Sequence, residues 1–371
     1  MKSIITQKEL VDYCKQNPDI DFIARCITPW HLLGIKAFVN RLKYREKRTI
    51  KGIIFIMAHS LTGYAIDSSK IDPIENITAK IYDIQESFFH GNNLSKGIRN
   101  ILMPSFRKGN CNYKSLYIIS PMKSWSSLSV DILNANCKYN ISNIVIDDGF
   151  LSYESKFQML LKQFAETKSI ASFFKNIIQF PYEYALQNKY NYEKIHWALF
   201  QKNHGKFIAN YKVVNCYKKI LEMDSSRQIG CQIEDNFQND YVIIITQPFE
   251  DHDLDYKLFV QERLIPIKNY FSSKNVDVYI KPHPRERTLE YYNQFKLLNY
   301  NGPIEQFTFS CKKCPLYFIG IYSTALVTIN LFSGIKTISL SKLVEPYVKN
   351  KNLKYSIRLF ANKFSDYVTI C

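Results

Sequence analysis

The sequence predicts an α/β protein made of two doubly wound, Rossmann-like halves. Three observations carry that expectation. Short apolar runs rich in β-branched residues recur along the chain, each is followed by a longer amphipathic or mixed stretch, and the series stops once and starts again. A length of 371 residues fits two domains at the usual roughly 100–200 residues each.

The first series is DFIARCIT at 21–28, GIIFIMA at 52–58, SLYIIS at 115–120 and NIVI at 143–146. Continuous apolar runs of this length suit strands buried on both faces of a parallel sheet. Between them, stretches such as PWHLLGIKAFVNRLK and SWSSLSVDILNAN supply the helical crossovers that parallel strands need. From 151 to about 225 the pattern reads as helical and aromatic, with SKFQMLLKQFAETKSIASFFKNIIQF placing apolar residues at helical spacing and Lys on the other face. The polar stretch SSRQIGCQIEDNFQND reads as the connection, so the expected domains are 1–225 and 226–371. The second series is YVIIIT at 241–246, VDVYIKPHP at 276–284, PLYFIGIYST at 315–324 and KTISLS at 336–341.

Hydrophobic residues at 46% and charged residues at 22% exclude a disordered chain. The net charge of +16 favours anionic partners: polyanions, anionic lipid or negatively charged small substrates. Basic residues gather at Arg41, Lys43, Arg45, Lys47, Arg48 and Lys51 and again from Lys349 to Lys363, either as solvated faces or as a surface for peripheral contact with an anionic membrane. No run reaches the about 18 apolar residues that span a bilayer, and MKSIITQKELVDYCKQ lacks the apolar core of a signal peptide, so a cytoplasmic protein is expected. Nine scattered cysteines give no disulfide framework, and the lone Cys311-x-x-Cys314 pair has no second pair at zinc-site spacing.

Three motifs sit at strand ends, where open α/β sheets bind ligands. Asp147-Asp148-Gly149 follows NIVI; adjacent carboxylates in a tight turn suit a general base, or an ordinary acidic turn. Lys281-Pro282-His283-Pro284-Arg285 follows VDVYI. Its prolines stiffen the backbone around His283, and a stiffly held imidazole beside Lys281 and Arg285 suits a departing phosphate. Ser323 and Thr324 follow LYFIG and open a helix, whose positive end suits a phosphate, although simple capping uses the same residues.

The order of these motifs resembles the bacterial sialyltransferases of glycosyltransferase families 38, 52 and 80, and IKPHPRE followed by IYSTAL is most similar to the lipooligosaccharide and capsule enzymes of family 52. The resemblance implies a GT-B fold, two Rossmann-like domains facing a central cleft. It implies inverting transfer of sialic acid from CMP-sialic acid to a hydroxyl of a bacterial surface glycan, with no metal or other cofactor. By the same resemblance Asp147, Asp148 and Gly149 face the acceptor, while His283 and Pro284, with Lys281 and Arg285 beside them, and Ser323 and Thr324 meet the donor phosphate. Ile304-Glu305 matches the residues that bind the nucleotide ribose, and Thr28 in Thr28-Pro29-Trp30-His31 matches the first-strand loop. One departure leaves the base open between the Asp pair and the loop Gln247-Pro248-Phe249-Glu250-Asp251-His252-Asp253. The alternatives are a GT-B transferase using another nucleotide sugar for hexosyl transfer and, from another class, a nucleic-acid binder, against which no RNA- or DNA-binding motif appears. The expected partners are the nucleotide-sugar donor, the glycan acceptor, an anionic membrane surface and a second copy of the chain as a homodimer.

Overall fold

The structure, a computed structural model, describes residues 7–57, 77–84, 113–121, 126–135, 139–147, 192–203, 206–227, 237–248, 254–300 and 302–371. The chain divides into two compact units, with Ala198 closing the first and Leu199 opening the second.

The first unit runs α1 (Gln7–Gln16), β1 (Phe22–Cys26), α2 (Pro29–Glu46), β2 (Ile50–Met57), β3 (Ile77–Ile84), β4 (Lys114–Pro121), α3 (Ser126–Asn134), β5 (Tyr139–Ile146) and β6 (Glu193–Trp197). Its strands form one parallel sheet in the order β3-β2-β1-β4-β5-β6, the Rossmann order. The apolar runs are buried as expected: Ile23, Ile53, Leu116 and Ile118 join one core. Phe22 pairs with Gly52, and a Cβ at Gly52 would lie 2.2 Å from the Phe22 ring, so the glycine makes room for that side chain. Pro29 opens α2, where a missing amide donor costs nothing, and Thr28 caps it by accepting from the His31 amide at 3.2 Å.

Just before β1, Asp21 is buried and takes Arg48 on both oxygens at 2.7 and 2.9 Å, the Lys51 amide at 2.8 Å and Lys114 at 2.9 Å. Burial alone would raise its pKa, but these donors win and hold it below the ordinary carboxylate value. Much of the Arg41–Lys51 cluster is engaged in the same way. Arg41 lies over the Trp197 ring at 5.2 Å, Arg45 bonds Glu46 and the Tyr117 hydroxyl, and Lys51 pairs with Asp19.

The second unit opens with an antiparallel hairpin, β7 (Phe200–Asn203) and β8 (Lys206–Ala209), followed by α4 (Tyr211–Arg227). Then come β9 (Asp240–Ile245), a continuous helical run of α5 (Tyr256–Phe259), a π turn (Val260–Leu264) and α6 (Ile265–Ser272), β10 (Val276–Lys281), β11 (Lys296–Leu297), α7 (Ile304–Ser310) and β12 (Tyr317–Gly320). The chain finishes with α8 (Thr324–Ser333), β13 (Thr337–Ser339), α9 (Ser341–Val344), α10 (Lys351–Phe364) and β14 (Thr369–Ile370). The sheet order β11-β10-β9-β12-β13-β14, all parallel, repeats the Rossmann order of the first unit. The π turn sits where Pro266 has no amide to offer, and the Ile265 amide reaches back five residues to the Val260 carbonyl.

Two expectations are corrected here. The break between units falls at Ala198 and Leu199, not at 225, because the hairpin and α4 pack on the second unit. Phe200 meets Phe364 edge-on at 5.1 Å, the Ala209 amide donates to the Tyr367 hydroxyl at 2.8 Å, and Tyr217 of α4 stacks on Phe332 of α8 at 6.3 Å. Within the stretch expected to be helical, residues 193–209 instead form β6 and the hairpin. EKIHW pairs with β5 at an end of the sheet, where a strand needs no continuous apolar run. The expected helix at 155–180, along with Asp148, Gly149 and Phe249 to Asp253, lies outside the described residues.

Candidate active site

In the second unit, β9 lies between β10 and β12, and this is where the strand order reverses direction. The loops leaving these three strands therefore emerge side by side. Gly320, the last residue of β12, sits close to β9: a Cβ there would meet the Ile245 carbonyl oxygen at 3.1 Å. The Gln247 side chain accepts from the Tyr322 amide at 3.4 Å and ties the loop after β9 to the loop after β12.

Beyond Tyr322, Ser323 takes an extended conformation and caps α8 by accepting from the Ala325 amide at 3.2 Å. The capping expected of Ser323 is present. Thr324 is the first residue of the helix, so both hydroxyl residues stand at its positive end. One turn further on, the Thr328 hydroxyl donates to Glu305 Oε1 at 2.7 Å. Glu305 itself is buried in the first turn of α7, and burial raises its pKa despite that hydrogen bond.

On the other side of β9, the chain turns sharply after Lys281. The Glu286 amide donates to the His283 carbonyl at 2.9 Å, and the Arg285 amide donates to His283 Nδ1 at 3.2 Å. An Nδ1 that accepts leaves the proton of the neutral ring on Nε2. Burial, then Arg285 and Lys281, push the His283 pKa down to about 4, so the ring is neutral at physiological pH. Lys281 is also lowered from its ordinary value by burial. His283 thus offers a directed N–H donor in a cationic setting, while Pro284 and Arg285 are exposed beside it.

The structure places His283 in the loop after β10 and Ser323–Thr324 after β12, the two strands that flank β9, and sets Glu305 against α8. It places Thr28 and Asp147 in the first unit, at the ends of β1 and β5. Asp147 is 1% exposed, which suits a carboxylate with a structural role more than one that meets a substrate. Sequence reasoning missed Glu286 and Thr246. Glu286 Oε2 accepts from the His283 amide at 2.6 Å and from the Thr246 hydroxyl, and its Oε1 accepts from the Tyr292 hydroxyl at 2.6 Å. The signal was present as a Glu three residues after the turn-opening His283, the spacing by which a side chain reaches back to the first amide of a turn. Among the described residues no group of three or more His, Cys, Asp or Glu side chains could hold a metal ion.

Two sheets of Rossmann order joined in one chain make the protein an α/β fold of two Rossmann-like units. The family model described as alpha-2,8-polysialyltransferase (POLYST) matches residues 22–342; the chain belongs to that family and is a glycosyltransferase. The sialyltransferase resemblance of its motifs agrees with this membership. No curated protein matches the sequence. Similar solved structures include a UDP-GlcNAc 2-epimerase from Methanocaldococcus jannaschii, at 10% identity and a TM-score of 0.43 over 92% of both chains. An α,α-trehalose 6-phosphate synthase from Burkholderia multivorans is similar at 8% identity and a TM-score of 0.38, over 95% of this chain and 89% of that one. A variant of the wall teichoic acid polymerase TagF is similar at 8% identity and a TM-score of 0.38, over 98% of this chain and 89% of that one.

Proposed function

We propose that this glycosyltransferase moves sialic acid from CMP-sialic acid to a hydroxyl of a bacterial surface glycan, with inversion at the anomeric carbon. The acceptor hydroxyl attacks that carbon, its proton passes to a carboxylate, and CMP departs with the bonding electrons. What carries the reading is the pair of loops on either side of β9: the one that holds the neutral His283 with its proton on Nε2, and the α8 N-terminus at Ser323 and Thr324. Lys281 and Arg285 add positive charge, and Glu305 is assigned to the ribose.

The base is assigned to Asp148, because its neighbour Asp147 is buried and a base must be reachable by the acceptor hydroxyl. The family name supports repeated α-2,8 transfer onto a growing sialic acid chain, in the capsule or lipooligosaccharide, and a net charge of +16 suits such a polyanion. No helix among the described residues is long and apolar enough to cross a membrane. Peripheral docking on the cytoplasmic face is assigned to the basic end of the chain around Lys349 and Lys351, since Arg45, Arg48 and Lys51 already have partners within the first unit.

The test is donor use. Purified enzyme given a sialylated acceptor should release CMP from CMP-sialic acid and lengthen the acceptor by successive sialic acid masses. Turnover of UDP-hexoses with CMP-sialic acid left intact would replace this reading with hexosyl transfer.

A further inference from the structure

We propose that Glu286 is a positioning residue of this site, whose carboxylate locks the turn that carries His283 so that the ring presents one Nε2–H donor in one direction. The inference rests on the reading of His283 as the group that meets the leaving phosphate.

The observations are geometric. A five-residue segment, Pro282 to Glu286, reverses on itself through the Glu286 amide and the His283 carbonyl. The carboxylate then folds back over the same turn. Oε2 receives the His283 amide at 2.6 Å, a charge-assisted bond of the stronger kind. The same oxygen receives the Thr246 hydroxyl, which stands just after β9, so one atom joins the loops that leave two neighbouring strands. Thr246 also lies 3.2 Å from the His283 amide.

The other oxygen is anchored from beneath. Tyr292 donates to Oε1 at 2.6 Å, and its oxygen lies 2.8 Å from the Tyr256 hydroxyl. Both tyrosines are buried in the core of the second unit, and burial raises both phenol pKa values, so both remain protonated. A carboxylate held by three donors from three parts of the chain has little freedom to rotate. It fixes the His283 backbone, and through the Arg285 amide on Nδ1 it fixes which ring nitrogen keeps the proton.

Glu286 touches no substrate atom in this account; it acts through His283. Glu286→Ala should therefore lower kcat by about tenfold or more while the donor KM moves by less than about threefold. Glu286→Gln keeps an acceptor for the His283 amide and should return turnover to within about threefold of the parent. In a His283→Ala background, Glu286→Ala should add little, because the group it positions is gone. A second readout needs no donor: ring nitrogen NMR should find His283 in a single Nε2–H tautomer in the parent and in a mixture of both tautomers in Glu286→Ala.

Should Glu286→Ala fail to fold, Tyr292→Phe and Thr246→Val each remove one donor to the carboxylate, and the same tautomer mixing is expected. Parent-like turnover and a single tautomer in these variants overturn the proposal. So does a loss that adds in full to that of His283→Ala. If CMP-sialic acid is not a donor but the tautomer result holds, the assigned donor falls and the positioning role of Glu286 stands.

Discussion

His283 shows how a local turn sets chemistry. Its ring is kept neutral by burial and by two neighbouring cations, and its proton is kept on Nε2 by the Arg285 amide. Replacing it by Ala should lower kcat by about a hundredfold with folding retained, measured as CMP release against thermal unfolding. The same ring makes stability depend on pH. Because its folded pKa of about 4 lies below the ordinary 6.5, the unfolded chain binds the extra proton first. Its contribution is constant above pH 6.5, and stability falls as pH drops from 6.5 towards 4. The full difference is of order 3 kcal/mol, and His283→Gln should flatten that part of a denaturation series. The Asp pair gives a second test at this scale. Asp147→Asn should mainly cost stability and Asp148→Asn mainly turnover, and equal mild losses would move the base to the loop at Glu250 to Asp253.

Among the elements, α8 carries two duties on one residue. Ser323→Ala removes the cap and should cost about 1 kcal/mol of stability, read from chemical denaturation, whether or not donor is present. It should also raise the donor KM, whereas Ser323→Thr, which keeps the oxygen, should recover both. The central strands were legible in the sequence, because β1, β2, β4, β5, β9 and β12 are buried apolar runs and β10 alternates buried Val278 and Ile280 with partly buried residues. The edges were not. β6 is a mixed polar segment, and β11 and β14 are two residues long, so neither composition nor period marks them. The site divides in the same way: His283, Ser323 and Thr324 stand out as motifs at strand ends, while Thr246 and Tyr292 look like ordinary strand and loop residues. Their role comes from which strands lie side by side, and a linear chain does not display that.

At the scale of the molecule, each unit has its own sheet and its own core, and the division at Leu199 can be tested directly. A fragment of residues 199–371 should unfold cooperatively. One beginning at residue 226 should be markedly less stable or insoluble, because it loses the hairpin that packs on α10 and the helix that packs on α8. Comparable stability of the two fragments would return the boundary to 225. The short outer strands of the second sheet have a bearing on handling the protein as well. A strand of two residues offers a neighbouring molecule almost no ladder to extend, so β11 and β14 are themselves poor templates for intermolecular pairing. Concentrated solutions should on this account resist fibrillar association through the second unit, and cross-β growth on heating should begin only after β9, β10 or β12 has lost its neighbours.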